Sequence, residues 1–140
     1  MNPAALSEEK IVEIGRECRR YFHAHPEIST QEAETSAKIF SLLEEWGLSP
    51  VRGTGHYGVA ATLKGKSEGP LIALRADMDA LSVREETGLP FASQNEGVMH
   101  ACGHDVHMAI LVWIGSYPLS VLGGTVTYRR RPAHDEGWIP

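Results

Sequence analysis

The sequence lacks several features that would place it in a special class of protein. Its only cysteines, Cys18 and Cys102, are too few among 140 residues for a framework of disulfide bonds. The first residues contain no basic stretch followed by an apolar one, so no secretory signal is recognisable and we expect the cytoplasm. Basic side chains number 13 against 18 acidic ones, and the net charge of −5 offers no electrostatic basis for binding nucleic acid.

The motif of one common chemistry is also absent, because the phosphate-binding pattern G-x-x-x-x-G-K-[ST] does not occur. With 42% hydrophobic and 22% charged residues and no internal repeats, the chain has the composition of one soluble globular domain. Its distinctive residue is histidine: seven are present, three of them between residues 100 and 107.

Apolar periodicity in the first third of the chain predicts two amphipathic helices. The first is expected to be capped by Ser7 and to end near His25, because Pro26 disfavours helix in the residue before it. The second is expected to open with a capping box at residues 29–32 and to stop at Gly47. Each helix carries one apolar stripe, so each is expected to cover another layer.

Two short apolar runs, residues 57–63 and 71–76, predict strands. Helices that flank strands predict a layered α/β domain with polar groups in the loops at strand ends. Further along, residues 108–128 contain no charge and precede three arginines, which superficially resembles a membrane span. Glycines, serines and a proline interrupt this run, which favours a buried helix to about Tyr117 and then a strand from Thr125.

The densest group of reactive side chains comprises His100, Cys102, His104, Asp105 and His107. In extended backbone, positions two apart point the same way, so Cys102 and His104 can bind one ion through the ligands that zinc favours. Asp105, near the start of a following helix, is expected to cap it or to support a ligand histidine. The alternative is a capped helix start with a buried cysteine and two surface histidines.

A second polar loop, residues 75–81, follows the second predicted strand. Asp77 and Asp79 face one side, which suits orienting a ligand histidine or balancing the charge of a metal pair. A solvated turn in which Arg75 pairs with an aspartate explains the pattern equally well.

Other candidate ligands are interpreted as structural. His23 and His25 lie at a predicted helix C-terminus, where histidine interacts favourably with the helix dipole. Cys18 lies on the apolar stripe of the first helix and is expected to be a small core residue.

Four segments of the chain resemble the amidohydrolase branch of the zinc aminoacylase and carboxypeptidase family. They are residues 20–27 (RYFHAHPE), 73–81 (ALRADMDAL), 85–93 (EETGLPFAS) and 97–107 (GVMHACGHDVH). That branch includes hippurate hydrolase, indole-acetyl-amino-acid hydrolases and N-acyl-diaminopimelate deacetylase. The resemblance covers about residues 7–115 and matches the N-terminal part of the family.

The resemblance implies the front of a three-layer αβα catalytic domain that binds two divalent ions, Zn or Mn. It also implies hydrolysis of small N-acyl amino acids by a homodimer, with neither membrane nor nucleic acid as a partner. Carried over by position, Cys102 and His104 match metal ligands, and Asp79 matches an acid that supports them. The dimerisation domain that the family inserts into the catalytic domain is expected to be absent here.

A pair of glutamates that the family carries in a QPAEEG segment is not preserved. Aligned from Pro132, the pair becomes His134 and Asp135; aligned back from Gly137, it becomes Asp135 and Glu136. The resemblance therefore places Asp135 at a degenerate position of the general base, with one methylene less of reach, and Glu136 at that of a metal ligand.

Residues 116–140 diverge from the family, so the whole chain is interpreted as one partial catalytic domain. The arginines at 129–131 do not suit a central strand covered on both faces, and we expect them at an edge, in a tail or disordered. Two hypotheses follow. Either these residues are the front of a metal-dependent amidohydrolase, or they form a truncated relative, perhaps arising from a frame change near residue 112, that binds metal without turnover. For the 140 residues alone the second is favoured.

Overall fold

The computed structural model describes residues 7–53, 56–65, 67–115 and 125–128, the last range for its backbone alone. Within these residues, helices and strands follow in the order α1 (Glu8–Ala24), α2 (Ala33–Glu45), β1 (Val51–Arg52), β2 (Val59–Lys64), β3 (Leu71–Leu74), α3 (His104–Gly115) and β4 (Thr125–Tyr128). This mixture of helices and strands confirms the predicted α/β class.

Helix α1 begins and ends where the local sequence predicts. The Ser7 hydroxyl accepts a hydrogen bond from the Lys10 N–H, and two glutamates in the first turn complement the helix dipole. At the other end, the His25 ring nitrogen Nδ1 lies 2.8 Å from the Tyr21 carbonyl oxygen. The interpretation of His25 as a helix-terminating residue is confirmed.

Helix α2 is capped differently from the prediction. Its N-cap residue, Glu32, makes no capping bond through its side chain, so the capping box predicted at residues 29–32 is wrong. The carboxylate of Glu27 takes that role: one oxygen accepts the Thr35 N–H at 2.7 Å, and the other accepts the Glu34 N–H at 3.2 Å. The predicted stop at Gly47 is confirmed, since this glycine follows the helix with a φ of +79°.

The four strands form one mixed sheet in the order β1-β2-β4-β3. Strand β2 is antiparallel to both β1 and β4, whereas β3 runs parallel to β4 with Leu74 opposite Tyr128. The strand predicted from Thr125 is confirmed, and it lies inside the sheet. The arginines at 129–131 follow it and lie outside the described residues.

The core lies between the helices and one face of the sheet. Val59, Ala61 and Leu63 are buried, while Thr62 and Lys64 between and beyond them are exposed. Side chains from all three helices pack in the same cluster, including Phe22, Leu43 and Met108. The described residues therefore form one helical layer on one face of the sheet, two layers of the predicted three.

The apolar segment after residue 108 contributes to this core. Met108, Ala109 and Val112 are buried on the sheet side of α3. Among the described residues, no helix is both long enough and apolar enough to cross a membrane. The predicted buried helix is confirmed as far as Gly115, and the next nine residues lie outside the described part of the chain.

Candidate metal centre

The loop after β3 places its two aspartates on one side, as predicted, but gives them different partners. Ala76, Met78 and Ala80 are buried, and Asp77 and Asp79 alternate with them. An oxygen of Asp77 accepts hydrogen bonds from Nε and Nη2 of Arg75, at 3.0 and 2.8 Å. The arginine-paired turn is therefore correct for Asp77, while Asp79 has another role.

Asp79 orients His104. Nδ1 of His104 lies 2.9 Å from the backbone oxygen of Asp79 and 3.1 Å from its carboxylate oxygen Oδ1. Because both partners are acceptors, Nδ1 carries the proton and donates it, which leaves Nε2 as the nitrogen able to bind a metal. This is the arrangement by which a carboxylate supports a ligand histidine.

Cys102 lies beside the same carbonyl group. Its Sγ is 3.9 Å from the Asp79 oxygen, and its side chain is exposed, which contradicts the alternative of a buried cysteine. The backbone that carries Cys102 and His104 is a turn leading into α3, with Gly103 at a φ of +89°, so the extended geometry predicted from the spacing is wrong. Both side chains nevertheless meet at Asp79.

The pair fits a divalent metal by its donor chemistry, because an accessible thiol and an imidazole with one free nitrogen are ligands that zinc favours. Within the part of the chain that the structure describes, no group of three His, Cys, Asp or Glu side chains is close enough to hold an ion. Asp135 and Glu136, the candidates for base and further ligand, lie outside the described residues.

Asp105 neither caps α3 nor touches a candidate ligand. Its side chain is 1% exposed, and one oxygen receives Nδ1 of His23 at 2.8 Å and Nε of Arg19 at 3.0 Å. The other ring nitrogen of His23 lies 3.0 Å from the carboxylate of Glu85. Sequence reasoning placed His23 at a helix end and missed Arg19 and Glu85. The available signal was that Arg19 and His23 lie four apart on one helix face.

The environment of this network favours the charged form of Glu85. Burial raises the pKa of Glu85, but hydrogen bonds from the Thr87 hydroxyl, the Ser93 N–H and His23 outweigh it and lower the pKa to about 2. His100 differs, because burial lowers its pKa to about 4 and neither ring nitrogen has a partner among the described residues. His100 is thus a buried neutral histidine.

Comparison with protein families matches the segment that contains the candidate ligands. Residues 73–117, which contain the loop of Asp79 and the turn of Cys102 and His104, match Peptidase family M20/M25/M40. The resemblance found in the four sequence segments is confirmed.

The M20 segment belongs to a longer stretch of similarity. N-acetyl-L-cysteine deacetylase of Bacillus subtilis is 50% identical over 114 residues, covering 79% of this chain and 26% of that protein. Thermostable carboxypeptidase 1 of Saccharolobus solfataricus is 39% identical over 137 residues, covering 94% of this chain and 34% of its own length. The chain thus spans about a quarter to a third of the length of these relatives.

A solved structure shows the same fold. The YXEP protein of Bacillus subtilis, a dinuclear metal binding peptidase from the M20 family, superposes with a TM-score of 0.81 at 41% identity. The match covers 91% of this chain and 36% of that one. The α/β architecture of this chain is therefore similar to the matching part of that structure.

Proposed function

We propose that this chain supplies the metal-binding front of an enzyme that hydrolyses the amide bond of N-acyl amino acids. The observation that carries the proposal is the meeting of Cys102 and His104 at Asp79, at the carboxyl end of β3. Relatives of this chain include an N-acetyl-L-cysteine deacetylase and an N-acyl-L-amino acid amidohydrolase, whose substrates belong to this class.

In this proposal, each described residue has a defined part. Cys102 and His104 hold the metal, and Asp79 fixes the His104 ring so that Nε2 faces it. Zn or Mn, with two ions in the complete site, would supply Lewis-acid polarisation of the amide carbonyl and a water of lowered pKa. The dinuclear relative supports the number of ions.

The sheet topology supports a role for the residues that follow β4. Because β3 and β4 are parallel with Leu74 opposite Tyr128, the chain leaves both strands at the same edge of the sheet. Asp79 follows β3 by five positions, and Asp135 and Glu136 follow β4 by seven and eight. We assign Asp135 to proton transfer from water to the leaving amine, and Glu136 to metal binding.

A second candidate function is metal binding without turnover. It is favoured by the absence, among the described side chains, of any third ligand close to Cys102 and His104. In that case residues 1–140 form a partial catalytic domain that binds one ion. For the complete enzyme, we propose a homodimer that acts in the cytoplasm on small-molecule substrates, with neither membrane nor nucleic acid as a partner.

Cobalt binding tests the ligand assignment. Purified protein in reducing buffer is titrated with Co²⁺, and thiolate-to-cobalt absorption is expected in the wild type and in Cys18→Ala, but not in Cys102→Ser. Cys18 is the matched control because it is buried in the core, where burial raises its pKa to about 11. Equal spectra for wild type and Cys102→Ser would overturn the assignment.

Turnover separates the two functions. Hydrolysis of N-acetyl and N-benzoyl amino acids is measured with added zinc or manganese. We expect the 140-residue chain to bind metal without appreciable hydrolysis, the result of the second candidate. Hydrolysis that Cys102→Ser abolishes and Cys18→Ala retains would instead establish catalysis by this chain alone.

A further inference from the structure

A buried group of charged side chains joins α1 to the start of α3. Asp105 and the side chains of His23 and Glu85 are almost fully buried, with side-chain exposures of 1%, 4% and 4%. His23 lies between the two carboxylates, with Nδ1 toward Asp105 and Nε2 toward Glu85. Nothing in the proposed hydrolysis uses His23, although its burial between two carboxylates is costly unless every group is paired.

Both ring nitrogens of His23 and three of the four carboxylate oxygens in this group have hydrogen-bond partners. Ionised carboxylates can only accept, so both ring nitrogens of His23 donate. The second oxygen of Glu85 accepts the Ser93 N–H at 2.6 Å, and Arg19 adds a second donor to Asp105. The ring of Phe91 packs edge-on against His23 at 5.7 Å between centroids, which helps to exclude water.

The group is continuous with the candidate metal centre through the backbone. Asp105 is the residue after His104, and both belong to the first turn of α3. Any movement of Asp105 therefore moves the backbone that carries His104. From that backbone, Nδ1 of His104 lies 2.9 Å from the carbonyl oxygen of Asp79. If His23 no longer donates to Asp105, the Asp105 carboxylate must hydrogen-bond to water instead, and the turn that carries His104 must move with it.

We propose that His23 is a positioning residue for the metal centre: by donating to Asp105 and Glu85 at once, it fixes the first turn of α3 so that His104 meets Asp79. The metal readout of this proposal rests on the proposed function, while the orientation of His104 can be measured without metal.

The test compares His23→Gln with the double variant His23→Gln/Glu85→Gln. In the single variant, the amide nitrogen of the new glutamine can donate to Asp105. Its amide oxygen then faces the Glu85 carboxylate, and neither of these two groups can donate to the other. In the double variant, the amide at position 85 can donate to that oxygen and still accept from the Ser93 N–H. We expect His23→Gln to weaken Co²⁺ binding about tenfold and the double variant to restore most of it.

A second readout is independent of metal. Imidazole ¹⁵N spectra of the metal-free protein report which nitrogen of His104 carries the proton. We expect Nδ1 in the wild type and in the double variant, and a mixture of both tautomers in His23→Gln. Glu27→Gln is the control for general destabilisation: it weakens the cap of α2, and both readouts are expected to stay at wild-type values.

The outcomes distinguish the two proposals. If His23→Gln binds Co²⁺ as the wild type does and keeps its proton on Nδ1 of His104, the positioning role is overturned. If the wild type binds no Co²⁺, the proposed function fails, and the tautomer comparison still decides the role of His23. Should His23→Gln not fold, His23→Asn takes its place, because its shorter amide can reach Asp105 or Glu85 but not both, and an unchanged His104 tautomer there would equally contradict the proposal.

Discussion

His104 and Asp79 are joined twice, through the backbone carbonyl at 2.9 Å and the carboxylate at 3.1 Å. The residues are 25 positions apart, and the contact links the end of β3 to the start of α3. Because both acceptors belong to one residue, the His104 ring has a single favourable orientation. This contact would hold His104 in place beside Cys102, the other candidate ligand.

Replacing Asp79 by alanine should weaken metal binding about tenfold, since outer partners of ligand histidines typically contribute 10-fold to 100-fold. Asp79→Asn should have a smaller effect, because its amide oxygen and the backbone carbonyl still accept from Nδ1. Cobalt titration measures both. Asp77→Asn is the matched control, because Asp77 in the same loop pairs with Arg75; a loss there as large as for Asp79→Ala would contradict the assignment.

Replacing Glu27 by glutamine should lower the free energy of unfolding by about 1 kcal/mol. The carboxylate oxygens of Glu27 accept one N–H group each, from residues 34 and 35, and the change replaces one of these oxygens by an amide nitrogen that cannot accept. Urea denaturation measures the loss. Glu34→Gln, exposed in the first turn of α2, should cost only a few tenths of a kcal/mol by its weaker effect on the dipole. Equal losses would show that Glu27 is not the cap.

Stability should depend on pH through Glu85. Hydrogen bonds from Thr87, Ser93 and His23 overcome burial and lower its pKa in the folded state from 4.5 to about 2. The folded state thus favours the carboxylate, whose stabilisation is complete above the unfolded pKa and is lost as pH falls from 4.5 toward 2.

Unfolding free energies measured across this acid range should therefore fall more steeply for the wild type than for Glu85→Gln, which has no proton to gain. Glu86→Gln, at the exposed neighbouring position, should keep the wild-type slope. Parallel curves for wild type and Glu85→Gln would rule out this contribution.

Gly103→Ala should destabilise the protein by about 1–2 kcal/mol, because a φ of +89° is strained for a residue with a Cβ atom. The strain lies between Cys102 and His104, so Co²⁺ binding should also weaken. Gly47→Ala introduces comparable strain at a φ of +79°, directly after α2. Its thermal stability should fall, while its cobalt affinity should match the wild type.

The sequence alone predicts the features that depend on neighbours along the chain. Ser7 and Pro26 bound α1, Gly47 ends α2, and the apolar run after residue 70 is β3. The resemblance also singles out Cys102 and His104. In each case the signal acts within a few residues, through capping geometry, restricted backbone angles or a motif of fixed spacing.

The tertiary structure decides which polar groups become partners. The local sequence pattern does not distinguish Asp77 from Asp79. Only the packing of α3 against the loop brings His104 to Asp79. The same holds for His23, whose partners Asp105 and Glu85 are 82 and 62 positions away, and for Glu27, which caps a helix from outside it. A short sequence pattern does not encode contacts between residues so far apart in the chain. The reason is that a carboxylate can accept a hydrogen bond from any donor that the folded chain brings within about 3 Å.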